Sequence, residues 1–188
     1  MNDYISENNG EELYRRFQNG DHSVLEQLID LYKNSLMRYI YTFVNDNRDA
    51  EELMIDALTE LVISKKYRGQ SSLKTYLFAI GRNISLHHIR KYKRRDSVPH
   101  EDIPDDVYDH INLPEYNFVR EDERQRLRAA IQTLKCEHRE VLHLVYYERM
   151  SYADAGVSMK KSVTQINNLL HKAKTTLKII LENEGLGY

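Results

Sequence analysis

Apolar positions recur at three- and four-residue steps through most of the chain, the pattern of helices laid on a core. A short helix over Glu11 to Gln18 ends at the Asn19-Gly20 breaker. Asp21 can cap the next helix, whose stripe is Val24, Leu25, Leu28, Leu31, Tyr32, Leu36, Tyr39, Ile40 and Phe43. A third helix is expected from near Asp49, where Asp49, Glu51 and Glu52 suit the positive end of a helix dipole. It would bury Leu53, Ala57, Leu58, Leu61 and Val62. Tyr67 to Ser71 reads as a turn, and Ser72 as the cap of a fourth helix burying Leu73, Tyr76, Leu77, Ile80 and Ile84. Further helices are expected over Glu115 to Leu134, Cys136 to Glu148, Ser151 to Ser158 and Ser162 to Leu181.

Alternating runs bounded by turn pairs, the mark of strands, are missing. Pro99, Pro104 and Pro114 are all the prolines, and they fall together between the helical stretches, where a helix breaker marks a linker. The fold class expected is therefore all-α: two small helical domains, 1–95 and 115–188, joined by a flexible acidic linker, 96–114. Within the second domain a short helix, a turn and a longer helix carrying Val163, Ile166, Leu170 and Ala173 give a helix-turn-helix pattern. Gly156 sits where its two helices would cross, a place where a missing side chain permits close approach.

Charge sharpens this picture. The formal net charge of -2 conceals segregation. Lys65 to Arg95 holds ten bases and no acid, Asp96 to Glu123 ten acids against Arg120, and Ala155 to Leu181 only lysines among its charges. Two basic blocks on an acidic tether suggest two polyanion-binding lobes. Cys136 is the single cysteine, which leaves no disulfide framework and fits a reducing compartment. The polar, acidic stretch Met1 to Gly10 is no secretory signal, and no apolar run approaches the roughly 20 residues of a membrane span. A cytoplasmic protein without membrane insertion is expected.

Certain ordered motifs go further. Asp49-Ala50-Glu51-Glu52-Leu53-Met54-Ile55-Asp56 resembles the acidic signature of sigma-factor region 2. Tyr67-Arg68-Gly69-Gln70-Ser71-Ser72-Leu73-Lys74-Thr75-Tyr76-Leu77 is similar to that family's next turn and helix, and Ile80-Gly81-Arg82-Asn83 to the segment after it. Arg139-Glu140-Val141-Leu142, Tyr146 to Tyr152, and His171-Lys172-Ala173-Lys174 resemble parts of region 4. Their order and spacing, over about Leu13 to Leu181, identify the chain as similar to RNA polymerase sigma factors of the extracytoplasmic-function type, in the sigma-70 family.

The resemblance implies an alternative sigma factor. Core RNA polymerase would be bound by Asp49, Glu51, Glu52, Leu53 and Asp56, although the acids alone would equally be a dipole-favoured first helix turn. Tyr67, Ser71, Ser72, Lys74, Tyr76, Arg82 and Asn83 would open the −10 element of promoter DNA, with Arg90 and Lys93 of the basic run on phosphates. Tyr76 also keeps register with Leu73, Leu77 and Ile80, so its ring belongs at least partly to the core. At the −35 element, Ser162, Thr164, Gln165, Asn167 and Asn168 would lie at base edges, with Arg139, Lys172 and Lys174 as further contacts. The linker, about 18 residues, reaches roughly 60 Å extended, comparable to about 16 base pairs at 3.4 Å each. An anti-sigma partner covering both lobes is implied as well.

Departures from the family pattern are Tyr76 for Trp, Ile55 for Gln, Lys135 for Pro, and Lys160-Lys161 for the Gly-hydrophobic pair of the helix-turn-helix turn. That turn could be wider, or the lysines could add phosphate contacts. Rival readings are a stand-alone helix-turn-helix regulator, a polymerase-binding antagonist, and a hydrolase or nuclease. The last is disfavoured: His87-His88 and His138 with His143 lack i, i+4 ligand spacing, and no glycine-rich phosphate loop, nucleophile elbow or cysteine pair is present. No catalytic residue, metal or cofactor is expected.

Overall fold

The computed structural model describes residues 7–64, 66–92 and 121–183, and among them there is no strand. They fall into two compact units. The first holds α1 (Glu7–Gln18), a 3-10 turn (His22–Val24), α2 (Leu25–Val44), α3 (Asn47–Ser64) and α4 (Leu73–Tyr92). The second is built around α5 (Glu121–Thr133), α6 (Cys136–Leu142), a π-helical turn (His143–Tyr147) and α8 (Val163–Asn183), with α7 (Tyr152–Met159) preceding α8 in the chain. The expected linker, 96–114, lies outside the described residues, as do Lys93 and the first residues, 115–120, of the helix expected from Glu115.

In the first unit α2, α3 and α4 pack on one another, and α1 packs on α2. Leu28, Leu36, Tyr39 and Ile40 of α2 meet Ala50, Ala57 and Leu61 of α3 and Leu73, Leu77 and Phe78 of α4 in the core. Tyr39 lies tilted against Phe78 at 4.8 Å and edge-on to Phe43 at 5.2 Å. Full burial of side chains of this size stabilises by about 1.5–3 kcal/mol each, so the apolar stripe is what holds these helices. Val62, Tyr76 and Ile84, expected in the core, are only half-buried, since they stand at the edge of the stripe.

The helix ends follow from short polar side chains. Asp21 caps the 3-10 turn that leads into α2, accepting Ser23 N–H at 3.1 Å. Asn45, left-handed at φ 59°, stops α2. The Asp46 carboxylate accepts Asp49 N–H at 2.8 Å, so α3 begins ahead of Asp49. Ser72 Oγ accepts Thr75 N–H at 3.1 Å and caps α4 as expected.

In the second unit α5 and α6 pack on α8, through Leu127, Ile131, Val141 and Leu142 against Ile166, Leu170, Ala173 and Leu177. The single helix expected over Cys136 to Glu148 instead widens into a π-helical turn, with Glu148 N–H bonded to His143 C=O at 2.9 Å. That turn seats a buried pair, His143 Nε2 and Glu148 Oε1 at 3.3 Å, with the His143 ring stacked on Tyr147. Arg149 then stops the segment in the left-handed region at φ 54°. Ser151 caps α7 by accepting Asp154 N–H at 3.1 Å. A Cβ on Gly156 would stand 2.6 Å from the Lys161 carbonyl oxygen, so the close approach is real, and the turn's own backbone makes it.

Candidate polymerase and nucleic-acid interfaces

The acids of α3 divide by depth. Glu51, Glu52 and Asp56 are exposed, and Glu52 lies 3.4 Å from Arg48 Nε. Leu53 is buried beneath them and belongs to the core. Asp49 is half-buried and holds His88 Nε2 of α4 at 2.9 Å, a pair with no signature in the sequence. Ile55 and Ile63 stand on α3 with 53% and 73% of their surface exposed, so this helix shows solvent a mixed apolar and acidic face.

Aromatic rings from α1 and α4 hold the turn before α4. Tyr67 lies edge-on to Tyr14 at 5.5 Å and tilted against Tyr76 at 5.4 Å, and its hydroxyl donates to Ser71 C=O at 2.7 Å. Burial pushes the Tyr67 and Tyr14 hydroxyls above their ordinary pKa, so both stay protonated donors at any physiological pH. Ser71, Ser72 and Tyr76 are half-buried. Ser72 is committed to capping, and its Oγ also meets Thr75 Oγ1 at 2.8 Å. Lys74 Nζ lies 5.9 Å from the centre of the Phe78 ring, a cation–π approach. Further along α4, Arg82 is half-buried, while Asn83 and Arg90 are exposed.

On α8 the buried stripe of Ile166, Leu170, Ala173 and Leu177 turns the other face outward. Ser162, Thr164, Gln165, Asn167, Asn168 and Lys172 are all exposed, and Lys174 is half-buried. Ser162 and Gln165 form a reciprocal capping box: Ser162 Oγ accepts Gln165 N–H at 3.2 Å, and Gln165 Oε1 accepts Ser162 N–H at 2.8 Å. The Ser-x-x-Gln spacing carries that signal. Arg139 stands on α6 and is half-buried. Its Nη1 donates to the carbonyls of Gln132 at 2.9 Å and Leu134 at 2.7 Å, closing the C-terminal end of α5.

The two turn lysines differ. Lys160 is exposed and left-handed at φ 55°. Lys161 is half-buried, with its ammonium 3.2 Å from Glu137 of α6. Among the described residues no group of three or more His, Cys, Asp or Glu converges as a metal site, and no helix is long and apolar enough to cross a membrane.

Sequence reasoning missed Glu11. Its Oε1 accepts Leu73 N–H at 3.0 Å, across 62 positions of sequence, so no local pattern could have pointed to it.

Comparison with known proteins places both units. The family model described as Sigma-70 region 2 matches residues 28–95, and that described as Sigma-70, region 4 matches 124–177, together more than half of the chain. The chain is 25% identical over 158 residues to the RNA polymerase sigma factor YlaC of Bacillus subtilis, covering 82% of this chain and 90% of that one. It is 23% identical over 162 residues to the ECF RNA polymerase sigma factor SigM of the same organism, covering 86% and 97%. Among solved structures, the sigma factor RpoE of Bartonella quintana, determined in complex with the anti-sigma factor NepR, shares the fold with a TM-score of 0.65. That match covers 84% of this chain and 96% of RpoE at 23% identity. With a region 2 unit and a region 4 unit in the order the motifs require, this chain belongs to the extracytoplasmic-function group of the sigma-70 family of RNA polymerase sigma factors.

Proposed function

We propose that this alternative sigma factor, which directs promoter-specific initiation by RNA polymerase, divides the work between its lobes as follows. The exposed face of α3, with Glu51, Glu52 and Asp56, docks on core polymerase, and Asp49 and Leu53 support it from beneath. The turn before α4, with Tyr67, Ser71, Ser72 and Tyr76, takes up an unstacked base of the −10 element, and Lys74, Arg82 and Asn83 contact the opened strand. Arg90 and Lys93 hold duplex phosphates in a salt-dependent, sequence-blind way. The first turns of α8 enter the major groove at the −35 element.

The observation that carries this reading is the outward face of α8. Thr164, Gln165, Asn167 and Asn168 stand exposed on its N-terminal turns, with Ile166 and Leu170 buried behind them. Asparagine and glutamine amides are the side chains that pair with base edges. Arg139 supports this lobe by closing α5, and Lys172 and Lys174 add phosphate contacts. The chain carries out no reaction of its own and works in the cytoplasm. Because RpoE, a structural relative, is held by an anti-sigma factor, we extend such a partner to this chain. Recovery of polymerase alone on co-purification from uninduced cells would speak against that partner.

The test is transcription of fragmented genomic DNA from the source organism by purified core polymerase, with and without this protein, mapping RNA 5′ ends. New starts sharing two upstream motifs are expected. Binding to core without new starts would favour the antagonist reading, and neither binding nor new starts the stand-alone regulator.

A further inference from the structure

We infer that α1 is a brace for the strand-opening turn, with Glu11 and Tyr14 as positioning residues that fix both of its ends. The inference rests on the proposal that the turn before α4 opens the −10 element.

The last four carbonyls of a helix and its first four N–H groups lack partners within the helix. The turn lies between two such ends, that of α3 at Ser64 and that of α4 at Leu73. On one side, Tyr14 donates its hydroxyl to Leu61 C=O at 3.2 Å, one of the last four carbonyls of α3, in a buried contact. On the other, Glu11 Oε1 accepts Leu73 N–H at 3.0 Å, the first N–H of α4, where a carboxylate also faces the positive end of the dipole. Glu11 and Tyr14 are three residues apart and so share one face of α1. That face continues into the turn through the Tyr14 ring, against which Tyr67 rests, and Tyr67 in turn meets Tyr76. The helix is itself seated closely. A Cβ on Gly10 would run into the Tyr32 hydroxyl of α2, so α1 lies close enough that a larger residue there would have to displace the Tyr32 side chain. Glu12 and Arg15, by contrast, are exposed and pair with each other.

A pocket that takes a base out of the stack works only if its walls are already in place, because ordering them at the moment of opening subtracts from the interaction gained. Ser72 caps α4 from within the turn, and Glu11 caps it from outside. The outside cap is the one that relates the turn to the rest of the unit.

The experiment uses the full-length protein in holoenzyme on a promoter from the 5′-end mapping, reading open complexes by permanganate reactivity of −10 thymines. Core affinity is measured in parallel by fluorescence anisotropy. Glu11→Ala is expected to cut open complexes about tenfold, the size of a lost helix cap, with core affinity unchanged. Glu11→Gln, which keeps the acceptor oxygen, is expected to restore most of the loss, and the exposed neighbour Glu12→Ala to open like wild type. Tyr14→Phe, which keeps the ring and removes one hydrogen bond, is expected to lose about threefold. The inference is overturned if Glu11→Ala opens like Glu12→Ala, if it loses core affinity in the same proportion, or if Gln does no better than Ala. Tyr76→Ala and Arg82→Ala check the underlying reading. If both open normally, the turn is not the opening element and the reading itself falls, together with the brace. If they fail while Glu11→Ala succeeds, only the brace falls.

Discussion

Replacing Lys160 by glycine should stabilise the second lobe, and the reason is a single backbone angle. Lys160 follows α7 at φ 55°, in the left-handed region. There an L side chain costs roughly 1–2 kcal/mol through the approach of Cβ to the following carbonyl. Glycine escapes that cost and loses about 0.5–1 kcal/mol through its greater freedom in the unfolded chain. The difference leaves Lys160→Gly more stable by about 0.5–1 kcal/mol. Lys160→Ala supplies the control, since it removes the same exposed charge and keeps the strain, and should stay within about 0.5 kcal/mol of wild type. For a lobe of this size 1 kcal/mol moves the melting temperature by about 4–8 °C, so heat unfolding followed by far-UV circular dichroism should show Lys160→Gly about 2–8 °C above Lys160→Ala. A glycine variant that melts at or below the alanine variant refutes the strain argument. Duplex −35 binding separates the charge from the backbone: if Lys160 meets a phosphate, both variants lose about 0.9 from the salt slope, whatever their stability. Lys161, held by Glu137, should contribute less to that slope.

Other expectations follow from groups buried in the same lobe. Glu148→Ala takes the carboxylate from beside buried His143 and should destabilise by about 1–3 kcal/mol, while pairing it with His143→Leu should recover much of the loss in urea unfolding. His138 is held below its ordinary pKa of 6.5, first by burial and then by the charge of Lys135. The unfolded chain therefore binds the proton more readily, and this contribution, complete above pH 6.5, is lost as pH falls from there through the lower folded value. Melts between pH 5 and 8 should show that slope, and His138→Gln should flatten it. Gly156→Ala drives a methyl against the Lys161 carbonyl oxygen and should cost about 1–3 kcal/mol, with a matching fall in melting temperature and weaker −35 binding.

The helices of both units were legible because their apolar stripes obey the helical period, as Leu28, Leu36 and Ile40 do on α2 and Ile166, Leu170 and Ala173 on α8. The π-helical turn was not. Val141 through Tyr147 reads as one continuous helix, and the widened turn brings together a side-chain pair, His143 with Glu148, whose five-residue spacing belongs to no α-helical face. Distance in sequence hid the rest. Nothing near Asp49 announces His88, and nothing near Leu73 announces Glu11. Such contacts arise only once the stripes have brought α1, α3 and α4 together. The motifs pointed to candidate surfaces, but they could not sort side chains proposed to meet DNA from side chains that hold the backbone beside them.

That sorting fails for a physical reason at the start of α8. The first N–H groups of a helix need acceptors, and short polar side chains supply them. Base edges need donors and acceptors on flexible, short arms, and the same residue types supply those. Ser162 and Gln165 answer the first demand, each bonded to the other's backbone N–H, and on the reading proposed above they would answer the second as well. Pairing Gln165 with adenine would take its Oε1 and its amide nitrogen together, yet Oε1 is already bonded to Ser162 N–H. Adenine recognition at this position must therefore share or open the box, at up to about 0.5–1.5 kcal/mol for the lost bond. A lone acceptor such as guanine O6 or thymine O4 asks for no such change. Asn167 and Asn168, one turn in and outside the box, carry no such cost. On the proposed reading, the cap that starts the helix thereby biases which base Gln165 would prefer.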